Sequence, residues 1–320
     1  MEERLANSEI LLIYEAKMCN PNGDPDAENR PRIDPKTNIN LVSDVRLKRF
    51  FRDYIIEKFG EDHVYVTKIA GESVRADTRV EKLLGTLDEN KVCDVLKKCI
   101  DARLFGATIP IGKGEAEKGA SKSFIGPVQF TWGFSLHKVE LMDSSAITSV
   151  FSGREAAERY GTMGRDWRIY YSLIGFYGVV SGRRARGTEM TQDDLKVFDN
   201  LIWKALQIQP TTRSKMGEMP HLYLRIEYKD ADTVLGDLRK FVTVKPIGEA
   251  VRDFKDLDIN FDELINHLKR NIDVISRIYL RTSEELKFVK ELVKSCCPEG
   301  FSTIPHKMTD AEVEAAIKKM

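Results

Sequence analysis

The stretch SDVRLKRFFRDYIIEKFG, residues 43–60, restricts the fold more than any other part of the chain. Ser43 supplies an N-cap and Gly60 a stop. Between them Leu47, Phe50, Phe51, Tyr54 and Ile55 recur at helical spacing on one face, with Arg46, Arg49 and Arg52 opposite and Lys48 at the flank. Such a helix must lay its aromatic stripe on a partner layer. The neighbouring segments point to a sheet. Residues 8–18 (SEILLIYEAKM), 124–142 (as one or two strands), 167–180 (WRIYYSLIGFYGVV) and 221–230 (HLYLRIEYKD) carry strand patterns. A second helix spans 191–208, with Thr191 as N-cap and Asp193 and Asp194 in its first turn.

With residues 61–123 set aside as an insertion, the order is strand, helix, strand, strand, helix, strand. That is the βαββαβ order of an α+β, ferredoxin-like or RRM-like fold, built from residues 8–60 and 124–230. The insertion holds helical stretches near 74–87 and 91–101 and a Gly/Lys-rich loop from 106. A Gly-rich connector covers 152–164. The tail, 231–320, reads as a helical C-terminal extension packed on the sheet, with helices near 260–278, 283–295 and 309–320. The last of these opens on a Thr309/Glu312 capping box.

Composition excludes several classes. No apolar run approaches the roughly 20 residues that span a bilayer, and MEERLANSEI is too polar for a signal peptide. Cys19, Cys93, Cys99, Cys296 and Cys297 form no C-x-x-C, and the five histidines form no metal-binding cluster. A reducing, cytoplasmic protein with no metal, no cofactor and no membrane contact is expected. Fifty basic residues balance fifty acidic ones. A neutral chain is unlike a free-standing, non-specific nucleic-acid binder, yet a local basic groove acts through its own field.

Four places offer such a groove. The start of helix 43–60 combines free N–H groups with Ser43, Arg46, Lys48 and Arg49, a combination suited to phosphate. SGRRARGT (181–188) puts Arg183 and Arg184 in a turn after a strand. The loop QPTTRSKMGEMPH (209–221) offers Arg213 and Lys215 for phosphates and Met216 or Met219 as a wedge against a base. The opening loop NPNGDPDAENRPRIDP (20–35) offers Arg30 and Arg32 beside the helix start. Its acids Asp24, Asp26, Glu28 and Asp34 lack the calcium-loop pattern, and Asn and Asp next to Pro and Gly make rigid turns. GATIPIGKG (106–114) fails the P-loop spacing, with five residues between its first two glycines and Gly114 after the lysine. IGFYGVV (174–180) matches an RNA-stacking strand only at Gly175 and Phe176, so a core strand is expected.

YEAKMCNPNGDPDAENRPRIDP followed by LVSDVRLKRFFRDYI resembles the repeating backbone subunit of type I CRISPR interference (Cascade) complexes, the Cas-seven family, and within it the subtype I-B (Csh-type) branch. LFGATIPIG, GFYGVVSGRRA and TTRSKMGEMPHLY extend the resemblance over about residues 8–230. It implies an RRM-like palm, a fingers insertion at 61–123 and a thumb loop at 209–220. It implies copies assembled head to tail in a helical filament along CRISPR RNA, with other Cascade subunits, presenting the guide to target DNA. The phosphate cradle would carry over to Ser43, Arg46, Lys48 and Arg49. Members of this type are expected not to be enzymes. Related subunits of type III complexes cut target RNA with a loop aspartate, which leaves a metal-dependent ribonuclease using Asp24 or Asp26 as the alternative. Processing of precursor RNA lacks support, because no histidine falls in a catalytic motif.

Overall fold

A computed structural model describes residues 5–112, 120–143, 145–148, 163–296, 301–303 and 308–318. Most of the 152–164 connector and Cys297 lie outside them. The centre is an antiparallel sheet. Strand β1 (Ser8–Cys19) is followed by helix α1 (Asp44–Phe59), then β2 (Val128–Phe130), β3 (Gly133–Ser135), β4 (Ile169–Val180), helix α2 (Gln192–Ile208), β5 (Glu218–Tyr228) and β6 (Ile275–Thr282). Across the sheet the order is β6, β5, β1, β4, then β2 and β3 end to end. Leu41–Val42 extends the β3 edge, and Phe301–Thr303 runs parallel to β6. The β1/β4 register is Ser8 to Val180 through Cys19 to Ile169.

Both faces of the sheet are covered, which is why β1 and β4 are nearly continuous in apolar residues. Ile10, Leu12, Tyr14 and Phe176 meet Leu47, Phe51 and Phe198 of the two helices. Leu11, Ile13, Leu224 and Ile226 meet Leu238, Phe261, Leu264 and Val289 of the C-terminal segment. Phe176 is therefore core rather than a base platform, and Tyr177, on the other face, bonds to buried Glu9. Ser43 Oγ accepts from Arg46 N and caps α1, and Gly60 closes it at φ 101°. Such a φ favours glycine.

Residues 61–125 carry a core of their own, including Tyr65, Val80, Leu83, Val95 and Ile109. Buried Asp101 ties this layer to α1: it accepts from Arg52 Nε at 2.7 Å, Tyr65 N at 2.6 Å and Val66 N at 3.2 Å. Arg103, 1% exposed, donates to Asp194 at 3.1 and 2.9 Å.

Two expectations need correction. The tail is not helical throughout. Its helix after Phe261 stops at Arg270, and Ile278 and Leu280 then lie on one face of β6 with Tyr279 on the other, where the free edge of β5 offers a ladder. SGRRARGT is not an open turn but a short helix, Gly182–Thr188, capped by Ser181 and closed at Glu189. Among the described residues no helix is long and apolar enough to cross a membrane.

A candidate nucleic-acid interface

Three loops meet where β1 ends. Asn20 N donates to Ser214 O at 2.8 Å, and the Lys215 ammonium donates to Asn20 O, so the 209–217 loop closes on the opening loop. Asn20 Nδ2 reaches Asn29 O at 2.7 Å and folds the opening loop back on itself. Asn22 Oδ1 accepts from Ser43 N at 2.8 Å, which fixes that loop to the start of α1. Arg168 Nη1 donates to Met18 O at 2.6 Å and its Nη2 to Arg213 O at 3.1 Å.

The basic side chains gathered here are Arg30, Arg32, Arg46, Arg213 and Lys215. Arg30 lies 4.6 Å from the Trp167 ring centre, and Arg32 lies 5.9 Å from that of Trp132. Arg46 packs on Phe50 at 3.9 Å and leaves its Nε without a partner. Arg213 reaches Asp166 at 3.3 Å but stays 65% exposed. Met216 and Met219 stand exposed beside it. The Ser43 cap leaves the first-turn N–H groups of α1 at the same end, where the helix dipole favours anions.

The other candidates are not brought here. Lys48 is 8% exposed and its ammonium is engaged by Asp44 at 3.0 Å and Gln129 at 3.1 Å. Arg49 pairs with Asp53 on its own helix and turns towards Val66. Arg183 and Arg184 follow Val180, which pairs with Ser8, so they lie at the opposite end of β1. At about 3.3 Å per residue that is roughly 35 Å away. One cradle cannot hold both groups.

The acids have local duties. Asp24 Oδ1 accepts from Asp26 N at 3.2 Å and its Oδ2 from Arg32 at 3.1 Å, closing a short turn over Pro25–Ala27. Among the described residues no three His, Cys, Asp or Glu side chains are grouped as metal ligands would be.

Sequence reasoning missed Glu218 and Trp132. Glu218 is 2% exposed and neither carboxylate oxygen has a hydrogen-bond partner. Burial pushes its carboxyl up to about 8, against the pull of Arg46 and Lys215, while burial and then Arg46 lower the Lys215 ammonium to about 8. A folded value above the ordinary 4.5 means that the neutral acid's contribution to stability is complete below about 4.5 and is lost as pH rises through about 8. Glu218→Gln stays neutral throughout. Its melting temperature relative to the parent should therefore climb between pH 5 and pH 9 in thermal scans. Parallel curves would contradict a buried, unpartnered carboxyl. Nothing in the sequence marks it, since the same strand also carries His221, Arg225 and Glu227.

Residues 6–262 match the family model described as CRISPR-associated protein Cas7. A protein of Haloferax volcanii, described as CRISPR-associated protein Cas7, is 35% identical over 296 residues, 86% of each chain. Among solved structures, a chain of a "CRISPR RNA-guided surveillance complex, pre-nicking" superposes with a TM-score of 0.57 at 16% identity, covering 97% of this chain and 100% of that one. A chain of a "CRISPR RNA-guided surveillance complex" gives 0.52 at 14% identity, covering 97% and 98%.

Proposed function

The chain belongs to the Cas7 family of CRISPR-associated proteins, and from that premise we propose that it is a CRISPR RNA-binding backbone subunit of a type I interference (Cascade) complex, in the I-B branch. The observation that carries this reading is the gathering of a capped helix start with Arg30, Arg32, Arg46, Arg213 and Lys215 at one end of the sheet. Dispersed donors of this kind hold a phosphate chain and read no base edges, which suits a protein that must accept any guide.

The sheet order fits a ferredoxin-like palm, since the fourth strand of the βαββαβ series lies beside the first, then the third, then the second. Residues 61–123 serve as fingers and 209–220 as the thumb loop. Copies follow one another along the guide in a helical filament with the other Cascade subunits. The guide bases are left to pair with target DNA in the cytoplasm. The subunit itself is not an enzyme in this reading, and Asp24 and Asp26 shape the opening loop.

Purification of the full chain from a host carrying a CRISPR array tests the proposal. A large species containing RNA of uniform length is expected, dissociating as salt rises because each phosphate contact releases counterions. A nucleic-acid-free monomer from that host would sink it.

A further inference from the structure

Glu218 opens β5 opposite Ala16, and by alternation it shares the helix-covered face of the sheet with Tyr14. Its N–H donates to Lys215 O at 3.2 Å, which folds residues 215–218 into a turn. Gly217 O accepts from Lys17 N at 2.9 Å and pins that turn to β1. The acid is thus built into the root of the loop that carries Arg213 and Lys215. It is 2% exposed and neither oxygen is bonded. Nearby, the Tyr14 hydroxyl, Asn20 Oδ1 and Arg46 Nε are also buried without partners. A buried polar group left unpaired is costly, so an acid in this place has a use or a second arrangement.

The groups that face Glu218 define that use. Arg46 faces it from α1, Lys215 from the loop, and the Tyr14 hydroxyl and Cys19 thiol from β1. Burial raises the Tyr14 and Cys19 groups, which therefore keep their protons near neutral pH. Farther out, Arg168 is taken by Asp166 at 2.7 Å and Glu15 lies 3.3 Å from His221. Only Arg46 and Lys215 remain to neutralise an ionised Glu218. Both are turned from it: the Lys215 ammonium donates to Asn20 O, and Arg46 leans on Phe50 at 3.9 Å. These are also two of the cations gathered for phosphate.

We propose that Glu218 is a positioning residue for RNA: protonated, it leaves Arg46 and Lys215 to the phosphates, and ionised, it draws both inward and weakens binding. The inference rests on the RNA-binding reading above and adds a proton to it. The sign follows from the competition. Arg46 and Lys215 pull the Glu218 carboxyl down against its burial. Phosphates that occupy those cations relax the pull, so the complex holds the proton more tightly than the free chain does. Binding then takes up a proton. Affinity is complete below about pH 8 and falls as pH rises beyond it.

Fluorescence anisotropy of labelled oligoadenylate on the full chain, at fixed salt from pH 7 to pH 9, reads this linkage. Adenine neither gains nor loses a proton in that range. The parent should weaken about tenfold, the effect of one linked proton over the unit above pH 8. Lys215→Arg keeps a cation that does not titrate, so the pH dependence it retains belongs to Glu218. Adding Glu218→Gln to Lys215→Arg should flatten the profile. Circular dichroism checks that both variants are folded. Calorimetry at pH 8 in HEPES and in Tris counts protons taken up by the parent itself, which requires no variant. Tight binding with a flat profile and no uptake overturns the inference and leaves the RNA reading standing. A double variant that still weakens as Lys215→Arg does puts the proton elsewhere and overturns it too. A parent that fails to bind oligoadenylate at pH 7 overturns both readings.

Discussion

Asp101→Ala should cost about 3–5 kcal/mol of folding stability, the effect of stranding a buried charge by removing its partner. Asp101 is fully buried and serves three donors: the Arg52 guanidinium, itself 6% exposed, and the backbone N–H groups of Tyr65 and Val66. Truncation leaves all three without an acceptor inside the protein. The carboxylate also joins α1 to the 61–125 layer, so the loss should appear there first. Urea titration would measure the total, and limited proteolysis would find cleavage sites opening within 61–125 before the sheet unfolds. Asp101→Asn keeps one acceptor oxygen and should cost less. A loss below about 1 kcal/mol for alanine would mean that Arg52 finds water once the acid is gone.

That anchor was invisible in the sequence, and the reason is general to this chain. Helices α1 and α2 were legible because their signals are local: Ser43 and Thr191 as caps, Gly60 as a stop, and apolar residues at helical spacing. Strand β1 was legible from its run of Ile and Leu. Asp101 meets Arg52 across 49 residues and Asp194 meets Arg103 across 91. Asp199, with Tyr223 and Arg225, closes a third buried network, at 2.6 and 2.7 Å. No spacing rule finds such pairs. They bear on the neutral net charge as well, because several arginines of the count are internal ties rather than surface charge.

Misreadings had equally definite causes. Lys48 sits at the flank of the apolar stripe, and only the folded chain shows that Gln129, far along the sequence, draws its ammonium inward. The helix read near 260–278 ends at Arg270, and the chain from Ile275 becomes a strand because β5 presents an open edge. Arg183 and Arg184 read as a phosphate-facing turn of their own, and the β1/β4 register puts that turn at the opposite end of the sheet from the helix start. Trp132 was hidden inside a segment that reads as an ordinary strand, since a break of two residues leaves no mark on the alternation.

The same geometry decides which basic residues to remove in a test of RNA binding. Changing Arg30, Arg46 and Arg213 together to Ala should flatten the slope of log K against log salt by about 2, since single-stranded nucleic acid contributes about 0.7 per phosphate contact. At about 0.1 M salt, losing that much counterion release weakens binding about a hundredfold. Circular dichroism and a thermal scan check the fold of the triple variant, because the charge of Arg46 faces buried Glu218. Arg213 is exposed, Arg30 makes a surface contact with Trp167, and Arg46 leans on Phe50, which keeps its burial among the core residues. Lys48 is excluded, because breaking its contacts with Asp44 and Gln129 would confuse a folding defect with a binding defect. Arg184→Ala with Arg186→Ala removes two charges at the far end of the sheet and supplies a control that should leave the slope unchanged. Fluorescence anisotropy of a labelled oligoribonucleotide across a salt series gives both quantities. If the triple variant keeps the parental slope while the far-end control flattens it, the phosphate path runs past the Gly182–Thr188 helix and the assignment of the interface must be reversed.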